Sequence, residues 1–156
     1  MITLTLDLAG KTGYAIQHED GQIKAGVCNL TRGNLGGARS PIPMLRLWER
    51  LNRFSACYQI QRVIFEETFG RGAAKYRLDS LQHIVILWCC QNGYPWQRVS
   101  PPRWKKVTLG RPTISKQDYH QAAIRNFPDQ RVFCDDIAAA LWLLEYASLV
   151  DDLKRN

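Results

Sequence analysis

The sequence predicts an α/β protein in which a mixed five-stranded sheet is flanked by helices, within a single domain that spans residues 1–156. Short apolar runs with strand-like alternation dominate the beginning of the chain, longer runs with helical spacing dominate the end, and strands and helices alternate between them. A chain of 156 residues that is 46% hydrophobic and 22% charged is large enough to bury one core.

The first three strands are predicted to form an antiparallel unit. Residues 2–8 alternate Thr3, Thr5 and Asp7 with aliphatic residues, which is the period of a strand, and Asp7 projects from its carboxyl end. The glycine-containing turn AGKTG leads into a second strand, YAIQ, and the Asp20–Gly21 pair marks a hairpin into a third strand, IKAGVCNL.

The middle of the chain alternates loops, helices and strands. The glycine- and proline-rich residues 31–43 predict a mobile loop, and apolar residues at helical spacing from Met44 to Phe54 predict a helix. A fourth strand covers Arg62 to Glu66, a loop follows with the sequence FGRGAAKYR, and the next helix runs roughly from Lys75 to Gln91.

The last third is predicted to be mostly helical. WQRVS is a fifth strand, and SPPRWKKVT is a loop that enters a short helix. The sequence SKQD, from Ser115 to Asp118, is a capping box that starts a helix ending near FPDQ, and the final helix covers Asp136 to about Val150.

Composition restricts the possible classes of function. No apolar run reaches about 18 residues and the amino terminus lacks the features of a signal peptide, so we expect no membrane partner and a cytoplasmic location. The five cysteines form no CxxC pair and are odd in number, which argues against a zinc knuckle or a disulfide framework. A cysteine nucleophile with His18, His83 or His120 as its base remains an alternative to cysteines that only pack.

Charge points to a polyanionic partner. The formal net charge is +7 and the pI is about 9.4. Residues 98–125 hold seven basic side chains against one acid, Asp118, which predicts a one-sided basic face.

Three acids stand at ends of predicted elements, namely Asp7 and Glu66 at the ends of strands and Asp136 at the start of a helix. Sites in such sheets lie at the carboxyl ends of the strands, so these side chains could converge. Clustered carboxylates repel one another, and a divalent cation is the simplest reason for such a cluster in a basic protein. The pattern therefore indicates phosphoryl-transfer chemistry.

Four motifs in this order, DLAGKTGYA, VIFEETF, VSPPRWKK and DIAAALWLLEYA, resemble the RuvC family of Holliday junction resolvases, particularly its compact phage-type members, on the ribonuclease H-like fold. The resemblance implies a homodimer that binds four-way DNA junctions and makes paired nicks with Mg²⁺ or Mn²⁺, leaving 5′ phosphates and 3′ hydroxyls. It places the family's four catalytic acids, of which the first three would be metal ligands here, on Asp7, Glu66, Asp136 and position 139.

Position 139 departs from the family pattern, since D-x-x-D-A-L is replaced by Asp136 followed by Ala139 and Leu141. Residues three apart share a helix face, so Ala139 removes one ligand and one negative charge from the expected metal site. Cleavage should be strongly slowed, whereas DNA affinity should survive. The sequence leaves open an engineered Asp-to-Ala change and a natural chain with an altered site that uses Asp135.

In two pairs of neighbouring acids, the members of each pair compete for a role in the site. Glu66 and Glu67 face opposite sides of a strand, so only one can join the cluster, and the resemblance selects Glu66. Either Asp135 or Asp136 could cap the final helix, and the spacing to the Ala-Leu pair favours Asp136 as the ligand.

Two predicted DNA-binding surfaces flank these acids. The first is the loop around Phe69, an aromatic that would stack on bases or else anchor the core, and it also holds the basic residues Arg71, Lys75 and Arg77. The second is a basic surface beside Trp104, and Lys11 in the first turn is a further candidate for contact with the scissile phosphate. The second surface comprises Arg103, Lys105, Lys106, Arg111 and Lys116.

The sequence thus predicts a magnesium-dependent, structure-selective endodeoxyribonuclease that acts on four-way junctions as a dimer and is impaired at position 139. Two alternatives remain: a broader branched or flap DNA nuclease with the same site, and a junction-binding protein that does not cleave.

Overall fold

A computed structural model describes residues 1–33 and 37–155, and residues 34–36 of the predicted mobile loop lie outside this description. The described elements follow the order β1 Thr3–Asp7, β2 Lys11–Gln17, β3 Ile23–Asn29, a 3₁₀ turn Gly37–Arg39, α1 Ile42–Cys57, β4 Arg62–Glu66, α2 Gly72–Asn92, β5 Trp96–Val99, α3 Pro101–Leu109, α4 Lys116–Asn126 and α5 Asp135–Arg155.

The strands form one mixed sheet in the order β3-β2-β1-β4-β5. The β1–β2 and β2–β3 pairs are antiparallel, whereas β1–β4 and β4–β5 are parallel. The parallel pairs are linked through helices, as such connections require. The predicted α/β class with a mixed, flanked five-stranded sheet is confirmed.

Each face of the sheet is covered by its own set of helices. Helices α1 and α2 pack on the face that carries Leu4, Leu6, Val63 and Phe65. Helix α5, with α3 and α4, covers the other face, which includes Ile64. Because side chains alternate along a strand, the polar positions of β1 are directed toward α5. None of the described helices is both long and apolar enough to cross a membrane.

The boundaries of three helices, α1, α2 and α5, differ from those predicted. Helix α2 begins at Gly72 rather than near Lys75, so most of the predicted FGRGAAKYR loop is helical. Helix α5 begins at Asp135 and continues beyond Val150 to Arg155. Residues 37–39 of the predicted mobile loop form a 3₁₀ turn, and helix α1 already begins at Ile42. Periodicity misses such ends because helix termini depend on local contacts as well as on the apolar pattern.

The start of α4 agrees with its sequence signal. The Ser115 side chain accepts a hydrogen bond from the Asp118 backbone N–H at 3.1 Å, and the Ser115 hydroxyl donates to the Asp118 carboxylate at 2.7 Å. The predicted capping box is confirmed in a variant form, because the short aspartate contacts the serine hydroxyl. This cap fixes the end of α4 that holds Lys116.

Candidate active site

The predicted acids meet at one end of the sheet. The β1–β4 register pairs Leu6 with Phe65, so the next residues, Asp7 and Glu66, are level on neighbouring parallel strands. Alternation directs both toward α5, which holds Asp136 in its first turn and Ala139 in the next. All four line one cavity of about 330 Å³.

A glycine on β2 allows α5 to approach this closely. Gly13 pairs with Asp7 in the sheet, and a Cβ atom at Gly13 would lie only 1.9 Å from the Asp136 carbonyl oxygen. Thr5 fixes the same helix one turn further along, because its buried hydroxyl donates to the Ala140 carbonyl at 2.7 Å. The glycine of the TGYA motif therefore sets how near Asp136 comes to Asp7.

The three carboxyl groups are electrostatically unfavourable together. Burial, followed by repulsion from Glu66 and Asp136, raises the pKa of Asp7 well above its usual value. Burial also raises the pKa of Glu66, although a hydrogen bond from Trp104 and the charge of Lys105 oppose the shift. Burial raises the pKa of Asp136 as well, against the lowering effect of Lys116. A cation in the cavity would relieve the cost of ionising these groups.

The donors suit a hard divalent cation, since carboxylate oxygens are the preferred ligands of Mg²⁺ and Mn²⁺. Within the described residues, however, no group of three or more Asp, Glu, His or Cys side chains is placed so that it could hold a metal ion. Ala139, which is 2% exposed, lines the cavity where the sequence pattern expects a fourth acid. The chemistry of the site fits a cation, but its set of ligands is incomplete.

Trp104 positions one of the acids, a role that the sequence did not predict. Its indole N–H donates to Glu66 Oε2 at 2.6 Å, and its ring packs edge-on against Tyr119 with centroids 5.8 Å apart. The side chain is 1% exposed, so this contact is protected from water. The only sequence signal was the position of the tryptophan directly before two lysines.

Two of the predicted DNA-binding lysines lie at the carboxylates. Lys105 and Lys116 line the same cavity as Asp7. The Lys105 Nζ atom lies 5.4 Å from the Trp104 ring centroid and 5.2 Å from that of Tyr119, so its charge makes cation–π contacts with both rings. These lysines are therefore placed to contact a phosphate that enters the site.

The other basic residues of the second surface lie outside this cavity. Arg103 is exposed and its guanidinium lies 6.0 Å from the Tyr146 ring centroid. Lys106 and Arg111 are exposed. Lys11 is exposed at the start of β2, and its charge lowers the pKa of Asp136, although burial has the larger, opposite effect.

The Phe69 loop lies at the cavity. Phe69 lines it and is 67% exposed, so the alternative that it anchors the core is wrong. Arg71 is exposed at the N-cap of α2. Lys75 forms an ion pair with Asp79, and Arg77 donates to the Gly37 carbonyl at 3.3 Å, so both have partners within the chain.

The competing acids have other partners. Glu67 lies 3.7 Å from the Arg98 guanidinium, and Asp135 lies 3.2 Å from Nδ1 of His120. His120 also contacts the Val132 carbonyl through Nε2, at 3.0 Å. Neither acid lines the cavity, so the arrangement favours Glu66 and Asp136 over their neighbours.

Three of the five cysteines are poor nucleophiles. Burial raises the pKa of Cys28, Cys134 and Cys89, and that of Cys89 reaches about 12. Thiols with raised pKa values stay protonated near neutral pH, and the thiolate is the reactive form. The structure therefore gives no support to the cysteine alternative at these positions.

No protein-family model matches the sequence, and no curated protein is significantly similar to it. Solved structures do match. The Thermus thermophilus RuvC structure is 15% identical with a TM-score of 0.76, covering 99% of this chain and 97% of that chain. Thermus thermophilus RuvC in complex with Holliday junction substrate is 12% identical with a TM-score of 0.78, covering 99% and 96%.

A more distant match is the fowlpox virus resolvase in complex with Holliday junction DNA. It is 14% identical with a TM-score of 0.59, and the match covers 96% of this chain and 99% of that chain. Elements agree along nearly the whole chain in each case, although few residues are identical. The chain therefore has the ribonuclease H-like fold of RuvC and related Holliday junction resolvases, as its motifs predict.

Proposed function

We propose that this protein is a RuvC-type endonuclease that binds four-way DNA junctions as a homodimer, and that its cleavage is impaired by Ala139. The observation that carries the proposal is the convergence of Asp7, Glu66 and Asp136 on one cavity that also holds Lys105 and Lys116. Acids and lysines in one cavity suit a phosphodiester, because the lysines attract the phosphate and the acids hold cations beside it.

The lysines, the tryptophan and the acids at the cavity have different proposed roles. Lys105 and Lys116 bind and orient the scissile phosphate at the cavity, and Trp104 keeps the Glu66 carboxylate in place through its indole N–H. Asp7, Glu66 and Asp136 would supply carboxylate ligands for divalent cations, although Ala139 leaves this set of ligands incomplete. Such cations, when bound, activate the attacking water and stabilise the leaving oxygen.

Branched DNA is the proposed substrate because an exposed aromatic lies at the cavity. Phe69 presents its ring to solvent there, with the exposed Arg71 next to the start of α2. An unstacked base at a strand exchange point can stack on such a ring, whereas the bases of a continuous duplex are stacked on one another and cannot reach it. The matched resolvases bound to junction DNA support this choice.

The homodimer is proposed to use the outer face of α2. That helix buries Leu81, Val85 and Trp88 against its own sheet, yet Leu87 is 57% exposed and His83 and Cys90 are exposed as well. Burial within the subunit and a dimer contact would thus use different faces of this helix. Two subunits would present two cavities to the two strands that must be nicked.

A non-cleaving junction-binding protein is the second candidate function. It is favoured by the absence of a complete ligand group for a metal among the described residues and by alanine at position 139. In that case the basic and aromatic surfaces carry the whole function. The Ala139→Asp variant separates the two candidates, because it supplies the missing carboxylate.

The test compares the protein, Ala139→Asp and the control Ser148→Asp on a labelled four-way junction, a flap and a linear duplex with Mg²⁺. Ser148 is exposed near the other end of α5, so the control adds the same charge away from the cavity. We expect paired nicks on the junction from Ala139→Asp and little cleavage from the other two. Junction binding without cleavage by any protein would support the binding function, and equal cleavage of flaps would support the broader nuclease.

A further inference from the structure

A second basic cavity lies on the opposite face of the sheet from the acids. It has a volume of about 130 Å³ and is formed by α1 and the end of β3. Three arginines of α1 line it, Arg46, Arg50 and Arg53, together with one acid, Glu49. The apolar periodicity of α1 gives no sign of this cavity, and the function proposed above does not use it.

The three arginines lie on one face of α1 but differ in their contacts. Positions 46, 50 and 53 are separated by four and three residues, which places them on one helix face. Arg46 is structural, because its Nη1 donates to the carbonyls of Leu30 at 2.9 Å and Arg32 at 2.6 Å. Arg50 and Arg53 make no ion pair with any residue in the described ranges.

The surroundings leave these two charges uncompensated. Cys28 lines the cavity and is 4% exposed, and burial raises the pKa of its thiol, so it stays neutral. With three arginines and one glutamate, the lining keeps a net positive charge. Two guanidinium groups that share a small cavity are suited to a phosphate, whose oxygens accept their N–H groups in parallel pairs.

The sheet topology brings this cavity to the same edge as the acids. Strands β1 and β3 are both antiparallel to β2, so Asp7 and Asn29 end at one edge. Neighbouring strands lie about 4.8 Å apart, which puts β3 about 10 Å from β1. Lys11 pairs with Asn29 on the intervening strand. One exposed lysine, Lys11, thus lies on the strand between the acids and the arginine cavity.

We propose that Arg50 and Arg53 bind a backbone phosphate of the DNA strand a few nucleotides from the cut, and so anchor one arm of the substrate. This inference rests on the proposed function and adds to it a site outside the cleavage cavity. Free inorganic phosphate has the same chemistry as a ligand, so the experiment must separate it from DNA.

Binding of a four-way junction and of a linear duplex is measured in EDTA, from 50 to 200 mM salt, for the parent and for Arg50→Gln/Arg53→Gln. The control is Lys24→Gln/Lys154→Gln, which removes two exposed charges near the start of β3 and the end of α5. Loss of one phosphate contact lowers the salt slope by about 0.9, so the fall in affinity across this range should be about 3.5-fold smaller for the arginine variant.

The control should keep the parent's slope. An unchanged slope in the arginine variant would overturn the proposal. In a parallel titration, amide NMR signals of Asn29 and Arg50 should shift with the DNA; a shift with inorganic phosphate but none with DNA would identify a free-phosphate site and also overturn it. If the parent binds duplex as tightly as junction while the arginine variant still loses slope, the cavity is supported and the junction function fails.

Discussion

Replacing Gly13 with alanine tests whether the close approach of β2 and α5 builds the active site. The added Cβ would lie 1.9 Å from the Asp136 carbonyl oxygen. A carbon and an oxygen that are not bonded need roughly 3.2 Å, so the helix start must move away by about 1.3 Å. Because Asp136 lies in the first turn of this helix, its carboxylate moves with it.

The expected loss can be given for both stability and cleavage. Overpacking of this kind costs about 1–3 kcal/mol of unfolding free energy. A displacement of about 1 Å in a reacting site costs about 100-fold in rate. Both effects are to be measured in the Ala139→Asp background, by urea unfolding and by single-turnover cleavage of a four-way junction.

Gly93→Ala is the matched control. Gly93 caps α2 with a φ of 70°, where alanine is strained, and no atom lies within 4 Å of the added Cβ. This variant should lose about 1 kcal/mol of stability and keep its cleavage rate. The reasoning would be refuted if Gly13→Ala cleaved as fast as its parent, or if the two variants lost rate equally at equal loss of stability.

Three further predictions concern the carboxylates. Without metal, Asp7→Asn should be more stable than the parent in urea unfolding. The difference should be absent below pH 3.8, should grow as pH rises from there to the raised pKa of Asp7, and should stay constant above it, because between the two pKa values the unfolded parent has lost a proton that the folded parent keeps. A difference that does not change with pH would contradict the burial of an ionising Asp7. Trp104→Phe in the Ala139→Asp background should weaken Mn²⁺ binding, measured by electron paramagnetic resonance, by about 10- to 100-fold, because Glu66 loses its indole partner; unchanged affinity would reduce Trp104 to a packing residue. Ala139→Asp should gain about 5–10 °C in melting temperature at a Mn²⁺ concentration 100 times its dissociation constant, and Ser148→Asp should show a smaller gain than this; equal gains would separate metal binding from position 139.

Much of the strand framework could be predicted because strand signals are local. Alternation along Thr3–Asp7 and the apolar run Arg62–Glu66 define two strands and also decide which side chains face α5. The same period shows that Glu66 and Glu67 cannot share a face. The positions of Asp7 and Glu66 at one sheet edge thus follow from periodicity and from the order of the elements.

The contacts that hold the site together could not be predicted in this way. Trp104 and Glu66 are 38 residues apart, and their hydrogen bond depends on how α3 packs on the sheet. Gly13 has an ordinary place in a strand pattern, and only the position of α5 shows why a side chain is excluded there. The cavity at Arg50 and Arg53 could not be predicted, because the apolar pattern of α1 shows only that the segment is a helix. Such features are properties of packing between elements, which a single sequence does not encode locally.

Position 139 links the stability of the protein to its proposed chemistry. Burial already raises the pKa values of the acids in the cavity, and repulsion from Glu66 and Asp136 adds to the rise at Asp7, so each ionised carboxylate there opposes folding in the absence of a cation. A fourth acid at position 139 would increase this cost, since it would lie one turn from Asp136 on the same face of α5. Alanine removes that cost and at the same time a ligand. The residue that stabilises the metal-free protein is thus the one that should slow cleavage. Placing an aspartate there should lower the stability of the metal-free protein and, at the same time, speed cleavage.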